Sequence, residues 1–233
     1  MNRNPIIVAL DFESAQEASQ LVTRLGNQVN FYKVGMELYA AAGMAFVREL
    51  CAEGIDVFLD MKFYDIPETV RRAVCVVART SVRFLTVHGS RPVMQAAVEG
   101  RGASNLKLLA VSVLTSFDQQ DIQDLGYPCE VSDLVDLRVR KAVESRIDGV
   151  VASPLDAARI RRIAGPDTII VTPGVRSAGS AKGDQKRVAT PAEAVRDGAD
   201  YVVMGRQISR AADPAGEVAR VLEEIATGLK TAP

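Results

Sequence analysis

The residues whose types and spacing could do chemistry follow one apolar stretch. Two acids and a base, Asp60, Lys62 and Asp65, lie within six positions of one another. Side chains alternate across a strand, so Asp60 and Lys62 are predicted to share one face, while Leu59 and Met61 occupy the other. A carboxylate beside an ammonium can set a negative charge against a substrate anion while a proton is delivered. The alternative interpretation is a surface ion pair that ends a strand.

The element that holds this pair is one of eight β-rich runs, each followed by a helical pattern or a loop. Eight strand–helix units in one chain predict a parallel (β/α)₈ TIM barrel, an α/β fold, with residues 1–233 as a single domain. A doubly wound open sheet is the alternative. The predicted strands are residues 6–10, 30–34, a central strand from residue 57, and then 84–87, 106–114, 149–152, 168–171 and 201–204.

Four local predictions can be checked against a structure. Pro67 is expected in the first turn of a helix, since its fixed φ suits that position. The helix after the second strand is expected to present Leu38, Ala42, Ala45 and Phe46 on one face. Residues 117–128 are interpreted as a polar segment without a helix. A single helix is expected to follow the eighth strand.

Composition narrows the class of protein. The net charge is −1 with both signs interspersed, which predicts neither a nucleic-acid partner nor a membrane surface. No apolar run approaches the roughly 20 residues of a spanning helix. The cysteines Cys51, Cys75 and Cys129 are odd in number and lack metal-ligand spacing, so we expect no metal site and a reducing, cytoplasmic location.

In a barrel, functional residues gather where the C-terminal strand ends converge. Lys33 and Asp11 stand at two such ends, and with Asp60 and Lys62 they predict a network of alternating charges in which each ion keeps its neighbour charged. His88, the single histidine, is interpreted as structural in preference to catalytic. For Asp11, a place in this network and a role as the cap of the helix that follows it are equally compatible with the sequence.

A second signal lies in the last two units. The stretch 177–187 is predicted to be a long loop, and Gly205 with Arg206 ends the eighth strand. Loops after strands seven and eight commonly bind phosphate in barrels, and a guanidinium can bond two phosphate oxygens at once. The sequence therefore favours a phosphate site here over a purely structural role. For Thr115 the sequence favours neither of two roles, contact with a substrate or hydrogen bonding to loop amides.

These residues together resemble the orotidine 5′-phosphate decarboxylase family in its compact bacterial form, and the resemblance runs along nearly the whole chain in the correct order. The segments that carry it are Ala9-Leu10-Asp11, Lys33-Val34-Gly35, Asp60-Met61-Lys62-Phe63-Tyr64-Asp65-Ile66-Pro67, Val113-Leu114-Thr115-Ser116, Thr172-Pro173-Gly174-Val175-Arg176, Gly183-Asp184-Gln185 and Met204-Gly205-Arg206.

The resemblance implies decarboxylation of orotidine 5′-monophosphate to uridine 5′-monophosphate without a cofactor, the last step of de novo pyrimidine synthesis. Lys62 would give its proton to the ring carbon that loses the carboxylate, and Asp60 would lie against that carboxylate. Lys33 would hold Asp60 and the ribose. Asp65, together with Thr69, would reach into the site of a second subunit, which implies a homodimer with shared active sites.

The resemblance also implies a set of substrate-binding positions. They are Asp11, Lys33, Asp60, Met61, Lys62, Phe63, Tyr64, Asp65, Ile66, Pro67, Glu68, Thr69, Thr115, Arg176, Gln185, Gly205 and Arg206. Two alternatives remain at this point: a metal-dependent sugar-phosphate lyase or decarboxylase of the related barrels, and a catalytically inactive paralogue that binds nucleotides.

Overall fold

Eight parallel strands close into a barrel in chain order in the computed structural model, which describes residues 4–178 and 188–230. This confirms the (β/α)₈ prediction and excludes the open sheet, because the first strand pairs with the eighth. The strands are β1 Ile6–Ala9, β2 Phe31–Gly35, β3 Asp56–Phe63, β4 Phe84–His88, β5 Lys107–Val111, β6 Gly149–Val151, β7 Ile169–Thr172 and β8 Tyr201–Met204.

Helices cover the outside of the barrel, and the apolar stripe of each faces the strands. Pro67 occupies the first turn of its helix, as predicted. No helix in the described ranges is long and apolar enough to cross a bilayer. The helices are α1 Ala15–Leu25, α2 Met36–Ala52, α3 Pro67–Val77, α4 Arg91–Arg101, α5 Gln119–Asp124, α6 Val131–Glu144, α7 Ala157–Ala164, α8 Pro191–Arg196, α9 Arg206–Ser209 and α10 Pro214–Lys230.

Three local predictions about the helices were wrong. Helix α5 forms in the segment interpreted as polar loop, because Asp118 and Asp121 cap each other's backbone N–H groups and Ile122 is buried. Helix α2 is kinked at Gly43, which has φ +65°, so the helical phase shifts and Ala45 is exposed. The predicted last helix is two helices, α9 and α10.

The apolar core has two layers, inside and outside the strands. The inner layer fills the N-terminal half of the barrel, where Phe31, Phe84 and Tyr201 meet edge to face at centroid distances of 5.0–5.4 Å. The guanidinium of Arg83 lies over these rings and pairs with Asp56. Inside the strands, a cavity remains toward their C-terminal ends.

Candidate active site

A cavity of about 270 Å³ opens at the C-terminal ends of the strands. That volume is close to the lower end of the range of small-molecule sites, about 300–1,000 Å³. Seven of the eight strands, or the loops that follow them, contribute to its wall. The lining residues are Ala9, Asp11, Lys33, Phe58, Asp60, Lys62, Val111, Val113, Leu114, Thr115, Ser116, Val151, Pro173, Gly174, Arg176, Val203, Gly205 and Arg206.

Four of these side chains form a line of alternating charge. Lys33 Nζ lies 2.9 Å from Asp11 Oδ1 and 4.0 Å from Asp60 Oδ2. Lys62 Nζ lies 2.9 Å from the same Asp60 oxygen. The predicted network of Asp11, Lys33, Asp60 and Lys62 is therefore present in the structure, and its members come from three adjacent strands.

Burial is uneven along this line, and that matters for chemistry. The side chains of Lys33 and Asp60 are 13% and 14% exposed, whereas Lys62 is 32% exposed and Asp11 is 51% exposed. A nearly buried carboxylate is costly unless cations compensate it, and Asp60 has two ammonium groups within 4.0 Å. The more accessible ammonium of Lys62 is the one placed to face a molecule in the cavity.

Strand β3 places Lys62 by departing from regular pairing. Asp60 and Lys62 line the cavity, while Leu59 and Met61 belong to the outer apolar layer, so the predicted alternation of faces is correct. The register of β3 against β4 shifts between Leu59 and Phe63, and Lys62 has φ +48°. Residues with a Cβ atom seldom adopt this left-handed conformation, and such backbone strain occurs often at functional sites.

Thr86 of β4 is a site residue that the sequence reasoning missed. It is fully buried, and its hydroxyl donates to Asp60 Oδ1 at 2.9 Å. The Thr86 hydroxyl oxygen also accepts the backbone N–H of Lys62 at 2.9 Å. The sequence contained a signal for this residue. Phe84 faces the barrel interior, and residues two positions apart on a strand share a face, so the polar side chain of Thr86 also faces inward.

The segments after β7 and β8 add two cationic side chains to the cavity. Arg176 and Arg206 both line it, and Gly205 lies between β8 and Arg206. Burial lowers the pKa of Arg176, and the nearby positive charge of Arg206 lowers it further. Two guanidinium groups close enough to repel each other create a position where an anion is electrostatically favoured. Arg206 was predicted from the sequence as a phosphate-binding residue, and Arg176 is a substrate-binding position that the family resemblance implied.

The remaining predicted positions differ in where the structure places them. Met61 and Phe63 pack in the outer apolar layer, and neither lines the cavity of this chain. An exposed run outside the cavity of this chain contains Tyr64, Asp65, Ile66, Pro67 and Glu68, with the half-buried Thr69 next to it.

Within that exposed run, each polar side chain has a local partner. Asp65 accepts the N–H of Ile66 at 2.6 Å, and Glu68 pairs with Arg71 on the surface of α3. The Tyr64 ring packs on His88 with 4.1 Å between centroids, beside a neighbouring cavity that also contains Lys62. Asp65 is therefore not brought to the charge network by its own chain.

Two further predictions concern the loops. Thr115 lines the cavity together with its neighbour Ser116. Gln185 and most of the predicted loop 177–187 lie outside the described residues. In the ranges 4–178 and 188–230, no group of three histidine, cysteine, aspartate or glutamate residues is arranged to hold a metal ion.

Fold and site together define a class of protein: a (β/α)₈-barrel enzyme whose C-terminal cavity contains a charge network and a pair of arginines. The chain belongs to the orotidine 5′-phosphate decarboxylase / HUMPS family, whose sequence profile matches residues 4–221.

Curated relatives and solved structures agree with this assignment. The chain is 51% identical over 228 residues to an orotidine 5′-phosphate decarboxylase of Nitrobacter winogradskyi, covering 98% of this chain and 95% of that protein. A protein of Caulobacter sp. with the same name is 49% identical over 227 residues, 97% of this chain and 99% of the relative.

Among solved structures, an orotidine 5′-phosphate decarboxylase from Lactobacillus acidophilus superposes with a TM-score of 0.84 at 32% identity. The match covers 96% of this chain and 99% of that one. An uncharacterized conserved protein from Geobacillus kaustophilus gives a TM-score of 0.82 at 36% identity, with 95% and 100% coverage.

Proposed function

We propose that this chain decarboxylates orotidine 5′-monophosphate to uridine 5′-monophosphate and CO₂, in pyrimidine biosynthesis and without a cofactor. The observation that carries the proposal is the Lys33–Asp60–Lys62 network in a cavity that Arg176 and Arg206 also line. Such a site suits a ligand with an anionic phosphate and a second anionic group. Family membership and the names of relatives at about 50% identity support the same reaction.

The chemistry required is stabilisation of a carbanion. The bond between the ring carbon and the carboxylate breaks, CO₂ leaves, and the electron pair remains on the carbon. The Lys62 ammonium stabilises that charge and then donates its proton to the same carbon, after which water reprotonates the amine. Preorganised electrostatics of this kind is often the largest single contribution to catalysis, with individual groups contributing about 3–4 kcal/mol.

Asp60 has a distinct part in this proposal. Its carboxylate, 2.9 Å from Lys62, lies against the substrate carboxylate, and their repulsion is relieved when CO₂ departs. Lys33 holds Asp60 in place from the other side, because its Nζ lies 4.0 Å from the same oxygen. Asp11, bonded to Lys33 at 2.9 Å, is then assigned to the ribose hydroxyls.

The active form is proposed to be a two-fold homodimer with shared sites. Asp65 and Thr69 lie outside the cavity of their own chain, and Asp65 stands in an exposed run with Ile66, which is 66% exposed. An exposed apolar side chain next to a predicted catalytic carboxylate supports burial of this run against a second subunit. Each site is thereby completed by Asp65 of the partner chain.

A cytoplasmic location is also proposed. The cysteines Cys51, Cys75 and Cys129 are all unpaired thiols in the structure, which suits a reducing compartment.

Direct assay of the purified protein tests the proposed reaction. Orotidine 5′-monophosphate is added, the loss of its ultraviolet absorbance is followed, and the product is identified by chromatography against uridine 5′-monophosphate. A parallel reaction contains a metal chelator. We expect equal rates with and without chelator, and a product yield of one nucleotide for each CO₂ released. No uridine 5′-monophosphate would refute the proposal, and loss of activity with chelator would favour the metal-dependent lyase.

A further inference from the structure

One buried hydroxyl touches two members of the charge network. Thr86 lies on β4 with no solvent exposure, and its oxygen is 2.9 Å from both Asp60 Oδ1 and the backbone nitrogen of Lys62. A threonine hydroxyl has one proton and two lone pairs. Since a backbone N–H can only donate, the Thr86 oxygen accepts from Lys62, and its single proton goes to the Asp60 carboxylate.

The first contact determines the backbone at Lys62. Pairing of β3 with β4 is regular up to Leu59 and resumes at Phe63, so Lys62 lies within the shifted segment, with φ +48°. There the Thr86 hydroxyl replaces a strand carbonyl as the acceptor for the Lys62 N–H. A buried N–H without an acceptor is unfavourable, so this hydroxyl stabilises the left-handed conformation that directs Lys62 into the cavity.

The second contact determines the orientation of the Asp60 carboxylate. Torsions between sp³ and sp² atoms are broad, so an aspartate carboxylate turns readily unless both its oxygens are held. Thr86 holds Oδ1, which leaves Oδ2 facing Lys62 at 2.9 Å and Lys33 at 4.0 Å. Threonine suits this function because its branched Cβ restricts χ1 to few rotamers.

We propose that Thr86 is a positioning residue for the decarboxylation, because its hydroxyl aligns the backbone of Lys62 and the carboxylate of Asp60 at the same time. The kinetic consequence rests on the proposed function, whereas the structural consequence does not. Thr86 itself is absent from the cavity wall, so we expect it to act through Asp60 and Lys62 and not by contact with substrate. Its removal should therefore slow the chemical step far more than it weakens binding.

The test compares a substitution that removes the hydroxyl with one that keeps it. Thr86→Val keeps the branched shape and removes the hydroxyl, and Thr86→Ser keeps the hydroxyl. A misplacement of about 1 Å at a reacting group costs on the order of 10²-fold, so kcat of Thr86→Val should fall by roughly that factor, with KM within roughly threefold of wild type. Thr86→Ser should stay within roughly fivefold of wild type in kcat, since both hydrogen bonds remain available.

Thr172 provides a matched control. It is another fully buried threonine, at the end of β7, but its hydroxyl donates to the Tyr201 carbonyl at 3.4 Å and it does not line the cavity. Thr172→Val should therefore retain the wild-type kcat. If Thr86→Val does not fold, Thr86→Ala removes the same hydroxyl with less crowding and takes its place in the comparison. Circular dichroism and the thermal midpoint establish that each variant is folded.

Crystal structures of the variants separate failure of this inference from failure of the proposed reaction. In Thr86→Val we expect the Asp60 carboxylate to rotate and Lys62 to leave φ +48°, and in Thr172→Val we expect neither. These shifts would support positioning even if wild type failed to act on orotidine 5′-monophosphate. Unchanged Asp60 and Lys62 in Thr86→Val, wild-type kcat in that variant, or an equal loss in Thr86→Ser would overturn the inference.

Discussion

At the scale of single residues, the site depends on small groups that leave room for the charges. Gly35 ends β2, two residues after Lys33, and a Cβ atom built on it would lie 2.8 Å from Lys33 Nζ. The backbone of Gly35, with φ −95° and ψ −174°, is one that other residues also adopt. Glycine at position 35 is therefore explained by the position of the ammonium and not by backbone conformation.

We predict that Gly35→Ala lowers activity without lowering stability. The added methyl displaces only the end of a flexible side chain, so the thermal midpoint should stay equal or rise slightly, because alanine reduces the entropy of the unfolded chain. The Lys33 ammonium must move away from Asp11 and Asp60, and kcat/KM should fall by about 10–100-fold. Steady-state kinetics and thermal unfolding measure the two effects.

Gly216→Ala is the matched control for this prediction. A Cβ atom at Gly216 would meet the Asp213 carboxylate at 2.3 Å, again the end of a flexible side chain, but at the start of α10 and away from the cavity. Its kcat/KM should equal that of wild type. Wild-type kinetics in Gly35→Ala would contradict the account of Lys33.

At the scale of elements, function follows from where strands end and loops begin. The N-terminal half of the barrel is filled by aromatic rings and Arg83, and the cavity that contains the charge network lies at the strand C-termini. The segment after β1 and the strands β2 and β3 supply the charge network, and the segments after β7 and β8 supply Arg176 and Arg206. The two ends of a bound nucleotide would thus be held by different elements across the same cavity.

The proposed phosphate-binding role of Arg206 can be tested by removing its guanidinium group from the enzyme and the phosphate from the substrate. Arg206→Ala should cost about 2–5 kcal/mol of transition-state stabilisation with orotidine 5′-monophosphate, because a charge-assisted contact to phosphate is lost. With orotidine, which lacks the phosphate and should react very poorly, the same substitution should have little effect. The measurement is kcat/KM for both enzymes on both substrates.

Arg210→Ala serves as the control in this cycle, because Arg210 is an exposed arginine just after α9 that does not line the cavity. It should behave as wild type on both substrates. Equal losses for Arg206→Ala on the two substrates would mean that Arg206 supports the fold or the pyrimidine end instead of the phosphate.

Much at the element scale was predictable from the sequence because a barrel repeats the same physical pattern eight times. Strand positions, the shared face of Asp60 and Lys62, and Pro67 at a helix start followed from alternation and from the fixed φ of proline. The kink at Gly43 was not predictable, since glycine is also tolerated inside a regular helix. The contacts of Thr86 depend on a register shift between two strands, which no local pattern encodes.

At the scale of the whole molecule, one chain does not assemble every predicted catalytic group. The cavity includes Asp11, Lys33, Asp60 and Lys62, yet Asp65 is exposed outside it. Asp65 lies just before α3, in a run whose apolar members Tyr64 and Ile66 are 69% and 66% exposed. A second copy of the chain that covers this run would bury apolar surface and supply the missing carboxylate together.

Mixing two inactive variants tests this arrangement. Lys62→Ala and Asp65→Ala should each be nearly inactive as homodimers. In a mixed dimer, one site combines an intact Lys62 with an intact Asp65, and the other site lacks both. After denaturation and refolding of an equimolar mixture, activity should return to roughly a quarter of wild type, since half of the dimers are mixed and each has one complete site.

The control is the same procedure applied to each variant alone, with subunit exchange verified by mass spectrometry of tagged chains. If Asp65 served its own subunit, every site in the mixture would still lack one group. Absence of recovery despite proven exchange would therefore contradict the shared site.

The most direct test of the account as a whole is the rate of uridine 5′-monophosphate formation by Lys62→Ala beside wild type. General acid catalysis alone contributes about 10²–10⁴-fold, and loss of the charge that stabilises the carbanion adds to this, so the variant should lose at least about 10³-fold in kcat. Its fold, checked by circular dichroism, and its binding of uridine 5′-monophosphate, measured by calorimetry, should persist. A folded Lys62→Ala that retains a tenth of wild-type kcat would contradict the role of Lys62 as proton donor.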